Sequence, residues 1–212
     1  LAGNTFIVFF SDNGGLTVPE NQCQIATSNA PFREGKGHLY EGGIREPLII
    51  RWPGNVPAGT TTDTPVISTD FYPTLRAVAG VDSTVGDPKD GVNLVPLLKQ
   101  PNQPLEREAL YWHYPHYANQ LGTPGGAIRQ GDYKLIEHFA PNSKPQLYNI
   151  KDDPGERNDL AAQQPDRTKE LHAKLQNWRQ QVGARMPEPN PNYDPKKAWE
   201  GLRWYNECPH PN

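Results

Sequence analysis

The stretch Thr5 to Phe10, Thr-Phe-Ile-Val-Phe-Phe, is β-branched, aromatic and apolar almost throughout. Such a run reads as a strand buried on both faces, as in a sheet covered by helices. It stops abruptly at Ser11-Asp12-Asn13-Gly14-Gly15, a cluster of turn formers. A strand of this kind commits the chain to an α/β arrangement. The run is far short of the roughly 20 apolar residues that a membrane-spanning helix requires, and no span is expected.

The rest of the chain divides into two patterns. Residues 16 to 43 show no periodicity and read as a long surface loop, a feature that in compact domains is usually functional. Pro47 to Trp52 is a second strand candidate, closed by Pro53-Gly54. Asp70 to Ala79 reads as a helix with Phe71, Tyr72, Leu75, Val78 and Ala79 on one face, Thr69 or Asp70 as cap and Gly80 as stop. Residues 81 to 108 are rich in Pro and Asp around a short apolar patch, Val92 to Leu98, and mark a boundary. Beyond it come short strands at Ala109 to Tyr114, Gly126 to Gln130, Tyr133 to His138 and Gln146 to Asn149, with Gly131-Asp132 as a hairpin turn. A helix follows from about Pro165 to Val182, with Leu171, Leu175, Trp178 and Val182 in one stripe. The charges of Asp152 to Asp159 read as a solvated turn. The expected organisation is an α/β region over 1–100, a small antiparallel sheet with one long helix over 101–186, and an irregular tail over 187–212.

Composition narrows the functional classes. With 19 Gly and 23 Pro among 212 residues, loops take up much of the chain without reaching the composition of a disordered one. A net charge of −3 gives no electrostatic reason to expect nucleic acid. The two cysteines, Cys23 and Cys208, have no CxxC spacing and form no zinc pattern; one disulfide or two separate thiols are both open. The chain opens on Leu1 and its sole methionine is Met186, so processing or truncation upstream is expected.

Two segments could carry chemistry. Asp12-Asn13-Gly14-Gly15 lies at the carboxyl end of a buried strand, where α/β sheets bind ligands, and its oxygen donors suit a hard cation. An ordinary Asn-Gly turn explains the same tetrapeptide. The second is Gly35-Lys36-Gly37-His38-Leu39-Tyr40-Glu41-Gly42-Gly43-Ile44-Arg45-Glu46-Pro47, a glycine-rich loop whose lysine is a candidate anion-binding point charge, without the spacing of a P-loop.

Together these segments resemble the C-terminal half of the arylsulfatase-type, formylglycine-dependent (type I) sulfatases. Later segments agree: Ser68-Thr69-Asp70-Phe71-Tyr72-Pro73-Thr74-Leu75, Asp90-Gly91-Val92, and Leu147-Tyr148-Asn149 leading to Asp153-Pro154-Gly155-Glu156. The resemblance implies part of an alkaline-phosphatase-like α/β sheet-and-helix region followed by the small antiparallel sheet and helix. It implies a hydrolase of sulfate esters, with a sulfated carbohydrate as the expected substrate, that depends on Ca²⁺, with Mg²⁺ as the alternative. Asp12 and Asn13 match metal ligands of that family, Lys36 matches its sulfate-contacting lysine, and Glu41 and Arg45 match a structural strand entry. Tyr111-Trp112-His113-Tyr114-Pro115-His116-Tyr117 resembles segments at the mouth of some bacterial sulfatase sites, which makes His113 and His116 substrate-binding candidates; an amphipathic strand packed on the long helix is the competing reading. Family habit implies a periplasmic or secreted enzyme.

The departure from the family pattern is equally specific. No Cys or Ser in this chain stands in the Cys/Ser-x-Pro-x-Arg motif that yields formylglycine, and the family's upstream metal-binding aspartates are not here. The nucleophile and the missing N-terminal portion of the same enzyme are therefore expected upstream, and the chain alone is expected to be inactive. Two alternatives stay open at this point: a phosphatase or phosphodiesterase of the alkaline-phosphatase-like group, and a non-catalytic fragment. Asn13 in place of the histidine common in the former removes a nitrogen ligand and points away from zinc.

Overall fold

The computed structural model describes residues 1–19, 25–81 and 90–197. Cys23, Cys208, Trp199, Trp204 and Tyr205 lie outside the described residues. The chain forms two units that alternate along the sequence, one from residues 1–12 and 47–110, the other from residues 13–46 and 111 onward.

In the first unit, β1 (Ile7–Phe10) pairs antiparallel with β2 (Leu48–Arg51), with Ile7 opposite Arg51 and Phe10 opposite Leu48. The strand expected from Thr5 to Phe10 is present, but it is not buried on both faces. Phe9 is 60% exposed and Ile49 63%. Only one face of the ribbon is covered within this unit: Phe10 meets Phe71 edge-on at 5.0 Å and Phe6 meets Trp52 at 5.4 Å.

The helix expected over Asp70 to Ala79 is α2 (Phe71–Val78), entered from a 3-10 turn at Ser68–Asp70. Its anchoring differs from the expected apolar face. Tyr72 and Leu75 are exposed, and the residue it buries is Thr74. Beyond the Phe71 contact with Phe10, polar contacts hold it. Asp70, fully buried, accepts the Ile67 and Val92 N–H groups at 2.9 Å each and pairs with Arg107 at 2.7 Å. Thr74 Oγ1 donates to Asp70 O at 2.6 Å and accepts from Leu94 N–H at 2.9 Å. A buried carboxylate is tolerable because its lone pairs are filled and a guanidinium balances its charge. The apolar patch near residue 95 forms α3 (Val95–Lys99), with Leu97 buried.

In the second unit, α1 (Glu41–Ile44) is a single buried turn inside the segment expected to be loop throughout. The four expected strands appear as β3 (Leu110–Tyr114), β4 (Gly125–Gln130), β5 (Tyr133–His138) and β6 (Gln146–Asn149). They form one four-stranded sheet in chain order. Gly131 turns the β4–β5 hairpin at φ 58°, a left-handed conformation that glycine adopts without strain. The long helix is α4 (Pro165–Gln181).

The sheet is covered on both faces, and its register decides what each face meets. One face carries α4: Leu171 and Leu175 are buried there, and Tyr111 stacks on Trp178 with centroids 4.9 Å apart. Val182, expected in the same stripe, is 48% exposed; Arg179 is buried instead and pairs with Glu137. The opposite face, with Ala127, Ile136 and Tyr148, packs against Leu39 and Tyr40. The glycine-rich segment is thereby built onto the sheet.

Candidate active site

The residues around Lys36 are held by backbone rather than by regular structure. Gly14 N–H bonds Gly43 O at 3.0 Å, Lys36 N–H bonds Gly15 O at 3.2 Å, and Gly42 N–H bonds Arg33 O at 2.8 Å. Three strands of loop thus cross at near-contact distance. A Cβ on Gly14 would sit 1.8 Å from Gly42 O, and one on Gly42 would sit 2.2 Å from Glu34 O. No side chain fits at either crossing, which is why the sequence is so rich in glycine here. Asn29 fastens the knot, accepting from Gly15 N–H and donating back to Gly15 O, both at 2.9 Å.

Asn13 opens this knot, and Asp12 precedes it in the chain as an exposed residue. The Lys36 side chain is exposed, with no carboxylate paired to it among the described residues. The same backbone ladder therefore carries the candidate sulfate lysine and one of the candidate metal ligands.

Beneath the knot lies a buried ionic triad. Lys134 Nζ stands 2.9 Å from Glu41 Oε1 and 2.9 Å from Glu156 Oε1, and Glu156 also accepts the Glu41 N–H at 2.6 Å. Arg45 adds a cation 3.6 Å from Glu41. Burial pushes the Glu156 carboxyl up, and the Lys134 charge works against that shift. Arg33 lies over the Tyr40 ring at 3.9 Å and donates to Tyr148 Oη at 3.3 Å. Burial and the neighbouring Tyr40 push the Tyr148 phenol up to about 12, so it stays neutral at ordinary pH.

The solvated turn expected over Asp152 to Asp159 is corrected at Glu156, which is fully buried. Its charge is wanted inside because Lys134 projects from the core-facing side of β5. That signal was in the sequence: Lys134 is in phase with Ile136, a core position, and a buried ammonium requires a buried counter-charge. Asn29 left no such signal, since its role depends on long-range backbone geometry.

The two candidate histidines are not brought together. His113 lies on the α4 side of the sheet, where its Nε2 bonds Arg185 O at 2.7 Å. His116 is exposed beyond β3, its ring edge-on to Tyr114 at 5.8 Å. Among the described residues, no three His, Cys, Asp or Glu residues form a group able to hold a metal. No helix among them is long and apolar enough to cross a membrane.

The profile of the family described as N-sulphoglucosamine sulphohydrolase, C-terminal, matches residues 34–181. The chain belongs to the sulfatase family. The matched range holds Lys36, His113, His116 and the whole triad, whereas Asp12 and Asn13 precede it. A sulfatase of Formosa agariphila is 36% identical over 189 residues, covering 84% of this chain and 32% of that protein. The chain therefore spans about a third of that relative's length. A structure described as BT4656 in complex with its substrate D-glucosamine-2-N,6-O-disulfate superposes with a TM-score of 0.69 at 29% identity, covering 87% of this chain and 36% of that one. Another, Ps i-CgsB in complex with k-i-k-neocarrahexaose, gives 0.70 at 29% identity, covering 97% of this chain and 41% of that one. The sulfatase fold is the alkaline-phosphatase-like class expected from the sequence, here as antiparallel sheets with one long C-terminal helix.

Proposed function

We propose that this chain is the C-terminal part of a Ca²⁺-dependent sulfatase that hydrolyses sulfate esters of a carbohydrate. The observation that carries the reading is the backbone bond from Lys36 to Gly15. It fixes the backbone of an exposed lysine to the glycine knot that begins at Asn13.

The residues fit the cation that the family implies. Asp12 and Asn13 offer only oxygen as ligand, the donor set of hard cations, and neither supplies the nitrogen or sulfur that would favour zinc. A bound Ca²⁺ would act as a Lewis acid toward sulfate oxygen. Two side chains leave most of the coordination sphere to be filled, so the N-terminal portion of the enzyme would contribute the remaining ligands and the formylglycine nucleophile.

Lys36 holds a point charge where a sulfate oxygen would gain negative charge in the transition state. Because backbone bonds set its loop before substrate arrives, only the lysine side chain has to order on the sulfate as charge develops. The sugar is the substrate class suggested by the glucosamine disulfate and neocarrahexaose bound by the two relatives. The test is sulfate release by the full-length enzyme from a panel of glucosamine sulfates, sulfated galactan oligosaccharides and matching phosphate esters. Free sulfate from a sulfated saccharide supports the reading. Turnover of the phosphate esters alone would replace it with phosphatase chemistry.

A further inference from the structure

The tight turn from Ala118 to Gly122 is fastened directly to the Lys36 loop. It closes on itself through Ala118 N–H to Gly122 O at 2.9 Å and Leu121 N–H to Ala118 O at 3.0 Å. His38 Nε2 bonds Gln120 O at 3.0 Å. A Cβ on Gly122 would lie 1.8 Å from Gly37 O, and one on Gly37 would lie 3.0 Å from the Ala118 Cβ. The two segments touch backbone to backbone at Gly122 and Gly37, and through the Ala118, Gln120 and His38 side chains beside it.

Tyr117 immediately precedes this turn and is 82% exposed. Its aromatic ring stands in water at the edge of a hydrogen-bonded turn, while Gln120 on the same turn is buried. Lys36 immediately precedes Gly37, and Tyr117 immediately precedes Ala118. With Cα spacings of 3.8 Å along the chain, the Lys36 and Tyr117 Cα atoms are at most about 14 Å apart. That is a span that two long side chains and one sugar ring can bridge.

We propose that Tyr117 is a specificity-determining residue that receives the sugar ring of the substrate while Lys36 receives its sulfate, an inference that rests on the sulfatase reading. Tyrosine suits this role. It offers a flat apolar face and a polar tip, and ordering it costs little side-chain entropy. Fastening the turn to the Lys36 loop fixes the spacing between the two backbones that carry ring and charge, so the reach of the pair selects where on the sugar the sulfate is carried.

The test compares Tyr117→Ala and Tyr117→Phe in the full-length enzyme, on the sulfated saccharide that the wild type desulfates fastest. Tyr117→Ala should raise KM about tenfold and weaken inhibition by the desulfated saccharide to a similar extent. Inhibition by inorganic sulfate, which reports on the Lys36 end alone, should stay unchanged. Tyr117→Phe should keep the wild-type KM. An unchanged KM in Tyr117→Ala, or a parallel loss of sulfate inhibition, overturns the proposal. A wild-type enzyme that releases no sulfate overturns the sulfatase reading itself, and the two failures are thereby distinguished.

Discussion

Lys134 and Glu156 form an ion pair at 2.9 Å with neither side chain exposed to solvent. They come from β5 and from the turn after β6, and Glu41 completes the set from the glycine segment. Two carboxylates share one ammonium, so the charges balance only when Arg45, 3.6 Å from Glu41, is counted with them. Removing the lysine leaves two buried anions with Arg45 as their nearest compensation.

Lys134→Met is expected to destabilise the protein by about 3–5 kcal/mol, the usual penalty for leaving a buried charge unpaired. Glu156→Gln should cost less, because burial already disfavours its charged form and the amide oxygen can still accept the Glu41 N–H. Urea unfolding of both variants checks the order. A Lys134→Met variant as stable as wild type would mean that the triad is solvated in solution.

A pH dependence follows from Glu137. Burial alone would raise its carboxyl, but hydrogen bonds and charge from His172 and Arg179 outweigh that and hold it below the ordinary glutamate range. A carboxylate depressed on folding adds stability above its unfolded value of about 4.3, and loses it as pH falls through the folded value. The docking of α4 should therefore weaken on acidification below about pH 4. Glu137→Gln should lower stability at pH 7 and flatten that acid limb. Thermal unfolding at pH 3 to 7 measures both, and a variant that keeps the wild-type acid limb would remove Glu137 as its source.

Much of the second unit was legible in the sequence. β5 and β6 follow from short apolar runs set between turn formers, and the Gly131 turn from its chemistry; neither strand alternates, because the sheet is covered on both faces. The first unit was legible as elements but not as burial. Continuous apolarity from Thr5 to Phe10 announces a covered strand, yet covering layers are long-range and Phe9 stays open within this unit. The α2 helix is legible in the sequence, but of its expected apolar face of Phe71, Tyr72, Leu75, Val78 and Ala79, Phe71 packs on Phe10 while Tyr72 and Leu75 stay exposed. The real anchor is Asp70, whose partners Val92 and Arg107 lie far along the chain. At the site, the glycines at positions 14, 15, 35, 37, 42 and 43 were visible as a pattern. Their crossings were not, since backbone-to-backbone contact leaves no periodic trace.

Asp12 supplies the only carboxylate of the proposed cation half-site. Asp12→Ala in the full-length enzyme should weaken Ca²⁺ binding at least tenfold, or about 1.4 kcal/mol, as read by titration calorimetry. Asp12 is exposed, so the melting temperature of the calcium-free protein should not change. Calcium affinity equal to wild type would take Asp12 out of the metal site.

The central claim is that the glycine knot places Lys36 on the substrate's sulfate. The most direct measurement is kcat/KM for sulfate release by Lys36→Ala beside wild type, in the full-length enzyme with saturating calcium and with thermal unfolding as a control. The account predicts a fall of at least about a hundredfold, roughly 2.7 kcal/mol of transition-state stabilisation, with an unchanged melting temperature. A fall of less than about tenfold would contradict it and return Lys36 to an ordinary exposed lysine.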